Sequence, residues 1–231
     1  MPDSSLGTVL VTGAASGLGA AVVAAVRDSG GRPLALDRVQ VDGVPHEVVD
    51  LADTRAAEAA LARLVDGAGG TLDAVVTCAG TDRCGALGDV EAEEWERVVT
   101  VNLFGTVAIV RAALPYLRAS DNPRVVTVAS TLGHRVFPDA TAYCASKFGV
   151  VGFTRALQSE VKGEIGVTLL TPGGMSTAFF DDRDEQYKPG PNAKLNRPED
   201  VAANVVHVLR QPPGCEIKEL VVASAWEGSW P

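Results

Sequence analysis

The sequence lacks the features that mark membrane-inserted, secreted and disulfide-bonded proteins. No uninterrupted apolar run reaches the roughly 18 to 20 residues of a membrane-spanning helix, and the start, Met1 to Ser5, has no basic signal region. The four cysteines have neither the spacing of a metal site nor the density of a disulfide scaffold. We therefore expect a soluble, cytoplasmic protein with reduced thiols that uses neither a membrane nor a metal.

Basic residues are also scarce. The 231 residues include 20 Lys and Arg against 29 Asp and Glu, which gives a formal net charge of −9. Because affinity for phosphate backbones depends on clustered Lys and Arg, nucleic acid is not an expected partner. The short acidic run at 181–185 is interpreted as a solvated loop face.

The hydrophobic content is sufficient for a core, with 46% hydrophobic and 21% charged residues. Short apolar runs typical of strands alternate with longer segments of helical periodicity. Strands are predicted at Thr8–Thr12, Pro33–Leu36, Glu47–Val49, Leu72–Thr77, Val125–Ala129, Val167–Leu170 and Glu219–Val222. Helices are predicted at Leu18–Ser29, Thr54–Asp66, Glu91–Ala119, Tyr143–Val161 and Glu199–Arg210. This order predicts one α/β domain over 1–231, a Rossmann-type doubly wound parallel sheet with helices on both faces.

A glycine-rich turn directly follows the first predicted strand and opens the first helix. Gly13 can form the tight turn, Gly17 lets the backbone approach a pyrophosphate, and Gly19 permits close helix packing. Amides at a helix start attract phosphate. We predict that this turn binds a dinucleotide through Gly13, Ser16, Gly17, Leu18 and Gly19, the alternative being an ordinary strand-to-helix turn.

Asp37 ends the second predicted strand about 20 residues after the turn, where a carboxylate can accept hydrogen bonds from an adenosine ribose. The same charge would repel a ribose 2′-phosphate. Arg38 could accept such a phosphate, but Ser16 in the turn supplies no second cation. We therefore favour NAD over NADP, although a lone acid after a strand is by default a turn residue.

Tyr143 and Lys147 stand four residues apart at the start of a predicted helix, so their side chains lie on one face. A free tyrosine has a pKa of about 10, too high for a base at neutral pH, and a neighbouring ammonium favours the phenolate. Taken alone, the two residues would be interpreted as a surface pair.

Together these landmarks resemble the classical short-chain dehydrogenase/reductase family, from Thr8 to the last strand. The resemblance implies that Tyr143 is the general acid/base and that Lys147 is its electrostatic partner and a ligand of the nicotinamide ribose. It implies that Ser130 polarises the substrate carbonyl. Asn102, in the sequence VNLFG, then holds a water in a proton relay from Lys147.

The resemblance also assigns further cofactor contacts after other strands. Asp50 and Leu51 resemble the adenine-binding pair, and Pro172, Gly173 and Thr177 resemble the segment that holds the nicotinamide carboxamide.

After the fourth strand the sequence departs from the family pattern. The family's usual Asn-Asn-Ala-Gly reads TCAG at 77–80, so Ala79 and Gly80 are kept while two amide side chains are lost. This loss is expected to affect local rigidity more than chemistry.

Aromatic and histidine residues near these motifs are candidates for the substrate pocket. His134 and Phe137 lie between Ser130 and Tyr143. The segment 176–196 is longer than a minimal connection, and the resemblance implies a mobile substrate lid there, with Phe179, Phe180 and Tyr187 over the substrate. These aromatics could equally pack a helical loop or a subunit contact.

The leading functional hypothesis is an NAD(H)-linked alcohol dehydrogenase or ketone reductase for a small or medium secondary alcohol. The alternatives are an NADPH-dependent reductase of 3-oxoacyl thioesters and a non-catalytic dinucleotide-binding regulator. The resemblance further implies self-association as a homotetramer or homodimer through the helices around Asn102 and Tyr143. Apolar positions that could support this contact, or could instead be internal core, are Ala108, Ala112, Phe148 and Phe153.

Overall fold

The computed structural model describes residues 6–230, so Met1 to Ser5, where no secretory signal is predicted, lie outside the described residues. A parallel sheet of seven strands forms its centre, in the order β3-β2-β1-β4-β5-β6-β7. The strands are β1 (Thr8–Thr12), β2 (Arg32–Asp37), β3 (His46–Val48), β4 (Ala74–Thr77), β5 (Arg124–Val128), β6 (Gly166–Pro172) and β7 (Glu219–Val222). The helices are α1 (Gly17–Asp28), α2 (Thr54–Gly67), α3 (Ala92–Val99), α4 (Thr106–Leu117), α5 (Thr141–Glu160) and α6 (Pro198–Leu209). The predicted Rossmann-type class and strand number are confirmed.

Helices cover both faces of the sheet, and each face has its own apolar core. On one face α1 and α6 bury residues such as Val22 and Val205 against the sheet. On the other face α2, α4 and α5 bury residues such as Leu61, Ile109 and Leu157. Because both faces are covered, the central strands read as continuous apolar runs instead of alternating ones.

The predicted helix at 91–119 is interrupted by a π-helical turn, Thr100–Gly105, which joins α3 to α4. By length and composition the whole helix, Ala92–Leu117, could cross a membrane, with a mean hydropathy of 1.7 over 18 residues. Half of that stretch is buried inside the protein, and a core helix has the same composition. Polar residues interrupt the stretch, so it contains no long uninterrupted apolar run.

The strand order creates a crevice between β1 and β4. The chain leaves β1 for β2 and β3 and then returns to the other side of β1 as β4. In the register, Thr12 at the end of β1 is paired with both Leu36 and Thr77. Ligands of open α/β sheets bind at such a switch point, beyond the carboxyl ends of the strands.

The apolar positions considered for self-association are mostly internal. Ala108 is buried, and Ala112 and Phe153 pack against the core under α2 and α4. Phe148 is exposed, as is Phe104 in the π-helical turn, which the sequence analysis did not single out. The alternative interpretation as core therefore holds for three of the four positions.

Candidate active site

A cleft of about 1120 Å³ lies along the carboxyl ends of the strands. It contains the predicted catalytic residues Ser130, Tyr143 and Lys147. All predicted cofactor residues also line it: Gly13, Ser16, Gly17, Leu18, Gly19, Asp37, Asp50, Leu51, Ala79, Gly80, Pro172, Gly173 and Thr177. Three predicted site residues, Asn102, His134 and Tyr187, do not contribute to its wall.

The glycine turn has no room for side chains. Gly13 and Gly17 have φ values of 65° and 52°, in the left-handed region that favours glycine. A Cβ on Gly19 would lie 2.0 Å from the Gly13 carbonyl oxygen, and one on Gly13 would lie 2.7 Å from the Ala79 Cα. Ser16, the N-cap of α1, makes no side-chain capping bond. The first amides of α1 therefore fit a phosphate, and the turn fits a dinucleotide.

Two carboxylates are fixed by hydrogen bonds beside this turn. Asp37 accepts from the backbone N–H of Ala15 at 2.9 Å and of Val39 at 3.1 Å. Asp50 accepts from Ala52 N–H at 2.9 Å and from Arg97 at 2.7 Å. Burial opposes ionisation of Asp50, but these hydrogen bonds outweigh it and lower its pKa. Both carboxylates face the part of the cleft where an adenosine would lie.

The three predicted catalytic side chains converge from two elements. Ser130 follows β5 and Tyr143 lies in the first turn of α5; both line the cleft, and Ser130 acts to lower the pKa of the Tyr143 phenol. The Lys147 Nζ lies 5.6 Å from the centre of the Tyr143 ring and donates to the Val128 carbonyl at 3.0 Å. The helical spacing of Tyr143 and Lys147 therefore brings them together as predicted.

The expected lowering of the Tyr143 pKa by Lys147 does not hold for the protein chain by itself. Burial raises the pKa of Tyr143 to about 12, although the hydrogen bond from Ser130 acts in the opposite direction. Burial also lowers the pKa of Lys147 to about 8. At neutral pH the pair thus consists of a neutral phenol, which can donate a proton, and a predominantly protonated amine.

Asn102 lies outside the cleft wall and joins two neighbouring segments by hydrogen bonds. Its side chain is fully buried, accepts from Thr81 N–H at 2.8 Å, and donates to the Thr81 carbonyl at 2.9 Å and to Ser146 at 3.0 Å. This network ties the segment after β4 to α5. The Thr77 hydroxyl, at a position where the family pattern has an amide, is buried without a hydrogen-bond partner. The water relay remains a prediction.

The segment 176–196 forms a loop over one end of the cleft. Its two ends are joined, since Ser176 N–H donates to the Asn196 carbonyl at 2.9 Å. The ring of Phe179 lies 5.8 Å from that of Tyr143, and Phe180 packs edge-on against Phe179. Both phenylalanines line the cleft, as does Phe137, and their contact with a substrate stays a prediction.

The other two candidate substrate residues point elsewhere. The Nε2 of His134 lies 3.2 Å from the Thr171 hydroxyl, and its ring packs edge-on against Trp230. Partial burial lowers its pKa. Tyr187 donates to Asp139 at 3.1 Å and so fixes the loop instead of contacting the cleft. The cleft wall considered for His134 therefore does not include it, and Tyr187 takes the alternative role of packing the loop; contact of either residue with a substrate stays a prediction.

The sequence analysis missed Asp82 and Arg183, which line the cleft and form a salt bridge at 2.6 Å. The side chain of Arg183 is only 18% exposed, so interpreting the whole run 181–185 as solvated was wrong for this residue. No local signal pairs two residues that are 101 positions apart.

The C-terminal segment 227–229 also reaches the cleft, which no motif indicated. Glu227 accepts from Gly174 N–H at 2.8 Å, and the hydroxyls of Ser229 and Thr131 lie 2.7 Å apart. These contacts close the wall next to the segment predicted to hold the nicotinamide carboxamide.

The sheet order, the glycine turn and the group formed by Ser130, Tyr143 and Lys147 together define a Rossmann-type oxidoreductase. Comparison with known proteins agrees. The chain belongs to the short-chain dehydrogenase family, whose family model matches residues 7–188.

Several known proteins are similar to this chain in sequence or in fold. An uncharacterized oxidoreductase of Staphylococcus aureus is 28% identical over 225 residues, covering 92% of this chain and 95% of that protein. The glycine betaine reductase of Emericella nidulans is 30% identical over 92% of this chain, but the chain spans only 18% of that protein's length. An alcohol dehydrogenase of Thermococcus sibiricus, solved with 5-hydroxy-NADP, shares the fold with a TM-score of 0.83 at 24% identity, covering 95% of this chain and 97% of that one.

Proposed function

We propose that this protein is an NAD(H)-dependent dehydrogenase that interconverts a small or medium secondary alcohol and its ketone. The observation that carries the proposal is the convergence of Ser130 and Tyr143 on the cleft with the buried Lys147, whose Nζ lies 5.6 Å from the centre of the Tyr143 ring. These three residues line the same cleft as the glycine turn. A hydroxyl pair and a cation so placed can bind a carbonyl oxygen and exchange a proton with it.

In ketone reduction, Ser130 would donate a hydrogen bond to the carbonyl oxygen, and Tyr143 would transfer its phenolic proton to that oxygen. The bound nicotinamide supplies the hydride. The raised pKa of Tyr143 suits this direction, because the phenol is protonated at neutral pH. In alcohol oxidation, the phenolate would accept the hydroxyl proton, so the positive charges of Lys147 and an oxidised nicotinamide must favour its ionisation.

Lys147 and Asn102 would support this transfer from behind. Lys147, held by the Val128 carbonyl, would bind the nicotinamide ribose and assist Tyr143 electrostatically. Asn102 holds Thr81 and Ser146, and so fixes the segment after β4 against the helix that carries Tyr143.

The preference for NAD(H) is supported by Asp37. Its carboxylate is held at the glycine turn by Ala15 N–H and lines the cleft at the end of β2. A 2′-phosphate would be repelled there, whereas ribose hydroxyls can donate to a carboxylate. Arg38 also lines the cleft and would bind the 2′-phosphate if NADP(H) were preferred.

The charge of the substrate end argues against 3-oxoacyl thioesters of phosphate-bearing carriers. The loop carboxylates Asp181, Asp182 and Asp184 line the cleft, and none of them forms an ion pair within the described residues 6–230. Their field would disfavour an anionic substrate. We therefore place a neutral alcohol or ketone ahead of the thioester.

The test is a cofactor-depletion assay with a panel of alcohols and ketones and with NAD(H) and NADP(H), using Tyr143→Phe as the matched control. Turnover that depends on Tyr143 supports the proposal. Binding of NADH without any turnover would favour a non-catalytic dinucleotide-binding regulator, and turnover confined to thioesters with NADPH would favour the other alternative.

We also propose that the protein forms a homotetramer or homodimer. The exposed Phe104 and Phe148 lie on the long helices that the family resemblance places at subunit contacts. Light scattering at micromolar concentration tests this, and a monomer would contradict it without affecting the catalytic proposal.

A further inference from the structure

A salt bridge inside the cleft joins the loop 176–196 to the body of the protein. The Nη2 of Arg183 donates to the Oδ2 of Asp82 at 2.6 Å. The Asp82 side chain is only 3% exposed, so its charge depends on the arginine for compensation. Arg183 also donates to the Tyr187 carbonyl at 3.4 Å, and Tyr187 in turn binds Asp139. The loop is thus held closed by two polar contacts, of which one is ionic.

The same arginine is in contact with the aromatic rings around Tyr143. Its guanidinium lies 5.2 Å from the centre of the Phe179 ring and 4.7 Å from that of Phe180. Phe179 therefore contacts both the Arg183 guanidinium and the ring of Tyr143. Opening the loop would therefore move the arginine and Phe179 together away from Tyr143, while Asp82 stays with the body.

Four groups shift the pKa of Tyr143, after burial itself: Ser130 follows β5, Cys144 lies on α5, Asp82 follows β4, and Arg183 comes from the loop. Lys147, also on α5, faces the Tyr143 ring with its Nζ 5.6 Å from the ring centre. Burial raises the pKa of Tyr143 most; the charge of Asp82 raises it further, whereas Arg183 and the hydrogen bond from Ser130 lower it.

Lys147 responds to a similar set of groups. Burial lowers its pKa, while Cys78 and Asp82 raise it. Asp82 therefore acts on both members of the catalytic pair, and the closed loop places a compensating charge on it.

We propose that Arg183 is a positioning residue for proton transfer: its salt bridge in the cleft offsets the charge of Asp82, so that Tyr143 releases its proton more readily than it would near an unpaired Asp82. This inference rests on the proposed function and names the loop residue that tunes the acid/base step.

The first experiment is the pH profile of kcat/KM for alcohol oxidation in Arg183→Gln, Asp82→Asn and the double variant. Oxidation requires the phenolate, so the rate rises with pH. Loss of the arginine should move the rising limb to higher pH, by roughly half a unit or more. Loss of the carboxylate should move it to lower pH, and the double variant should return it close to the wild-type position.

Lys188→Gln is the matched control, since it removes an exposed ion pair with Glu185 from the same loop. Lys188→Gln should leave the rising limb of the pH profile at the wild-type pH. Three variants that lose kcat without any movement of the limb, or a double variant no better than the worse single one, would overturn the inference and leave Arg183 with a purely structural role.

A second readout does not depend on turnover. The chain has three tyrosines, so the 13Cζ signal of Tyr143 in tyrosine-labelled, NAD+-saturated protein can be assigned with Tyr143→Phe. Asp82→Asn should lower the titration midpoint of this signal, and Arg183→Gln should raise it. Unchanged midpoints would refute the coupling, whereas shifted midpoints in a protein that oxidises no alcohol would refute the proposed function alone.

Discussion

At the glycine turn the cleft wall is made of backbone, whereas around Tyr143 it is made of side chains from distant parts of the chain. The turn fits because Gly13, Gly17 and Gly19 have no side chains: a Cβ on Gly19 would meet the turn itself, whereas one on Gly13 or Gly17 would meet Ala79 or Thr177. Around Tyr143, by contrast, the wall joins residues from four separate segments. Cofactor binding at the glycine turn should therefore be lost when a side chain is added there. Catalysis around Tyr143 should be lost when a particular functional group is removed.

The strongest way to break the glycine turn is Gly19→Val. Its Cβ would lie 2.0 Å from the Gly13 carbonyl oxygen, so the turn must shift and NADH binding should be lost entirely. Gly67→Ala is the control, because a Cβ on Gly67 meets nothing within 4 Å. Fluorescence titration with NADH measures both variants; normal affinity in Gly19→Val would contradict the assignment of the turn.

Lys147→Met tests the point where the two regions meet. Because Lys147 is proposed both to bind the ribose and to assist Tyr143, the variant should weaken NADH binding and lower kcat, the latter by about 10²-fold or more. Steady-state kinetics and NADH titration on one preparation separate the two effects. If only NADH binding or only kcat changed, Lys147 would have one of the two proposed roles and not both.

Asp37→Ser should change the cofactor preference more mildly. Removing one partly screened charge should lower the ratio of kcat/KM for NADH to kcat/KM for NADPH by about tenfold, equivalent to about 1.4 kcal/mol. The wild-type ratio itself must favour NADH. A wild-type preference for NADPH would contradict the cofactor proposal and direct attention to Arg38.

The smallest effect concerns stability and pH. Burial lowers the pKa of Lys147 to about 8, so between pH 7 and 9 the folded protein loses a proton that the unfolded chain retains. Stability contributed by this site therefore rises with pH in that window. The free energy of unfolding of wild type relative to Lys147→Met should increase by about 1.4 kcal/mol from pH 7 to 9. A constant difference in denaturant titrations would show that the lysine is not destabilised by burial.

The same contrast explains which parts of the site could be predicted from the sequence. The glycine turn, Asp37 and the pair of Tyr143 and Lys147 are local patterns, whose spacing on a strand, turn or helix fixes their geometry. The seven strands were predictable for a similar reason, since burial on both faces gives each central strand an apolar run.

Contacts between distant segments could not be predicted in this way. Nothing near Asp82 indicates Arg183, and nothing near Gly174 indicates Glu227. The position of His134 between Ser130 and Tyr143 does not fix the direction of its side chain, which lies against Thr171 and not on the cleft wall. The raised pKa of Tyr143 likewise follows from burial, which spacing does not reveal.

The central claim is that Tyr143 transfers the proton while the cofactor is held by the other region. It is tested most directly by measuring kcat and NADH affinity of Tyr143→Phe on one preparation, with the best substrate of the panel. We predict that kcat falls by at least about 10²- to 10⁴-fold, the usual contribution of general acid/base catalysis, while NADH affinity stays close to that of the wild type. A Tyr143→Phe protein with near-normal kcat would contradict the assignment.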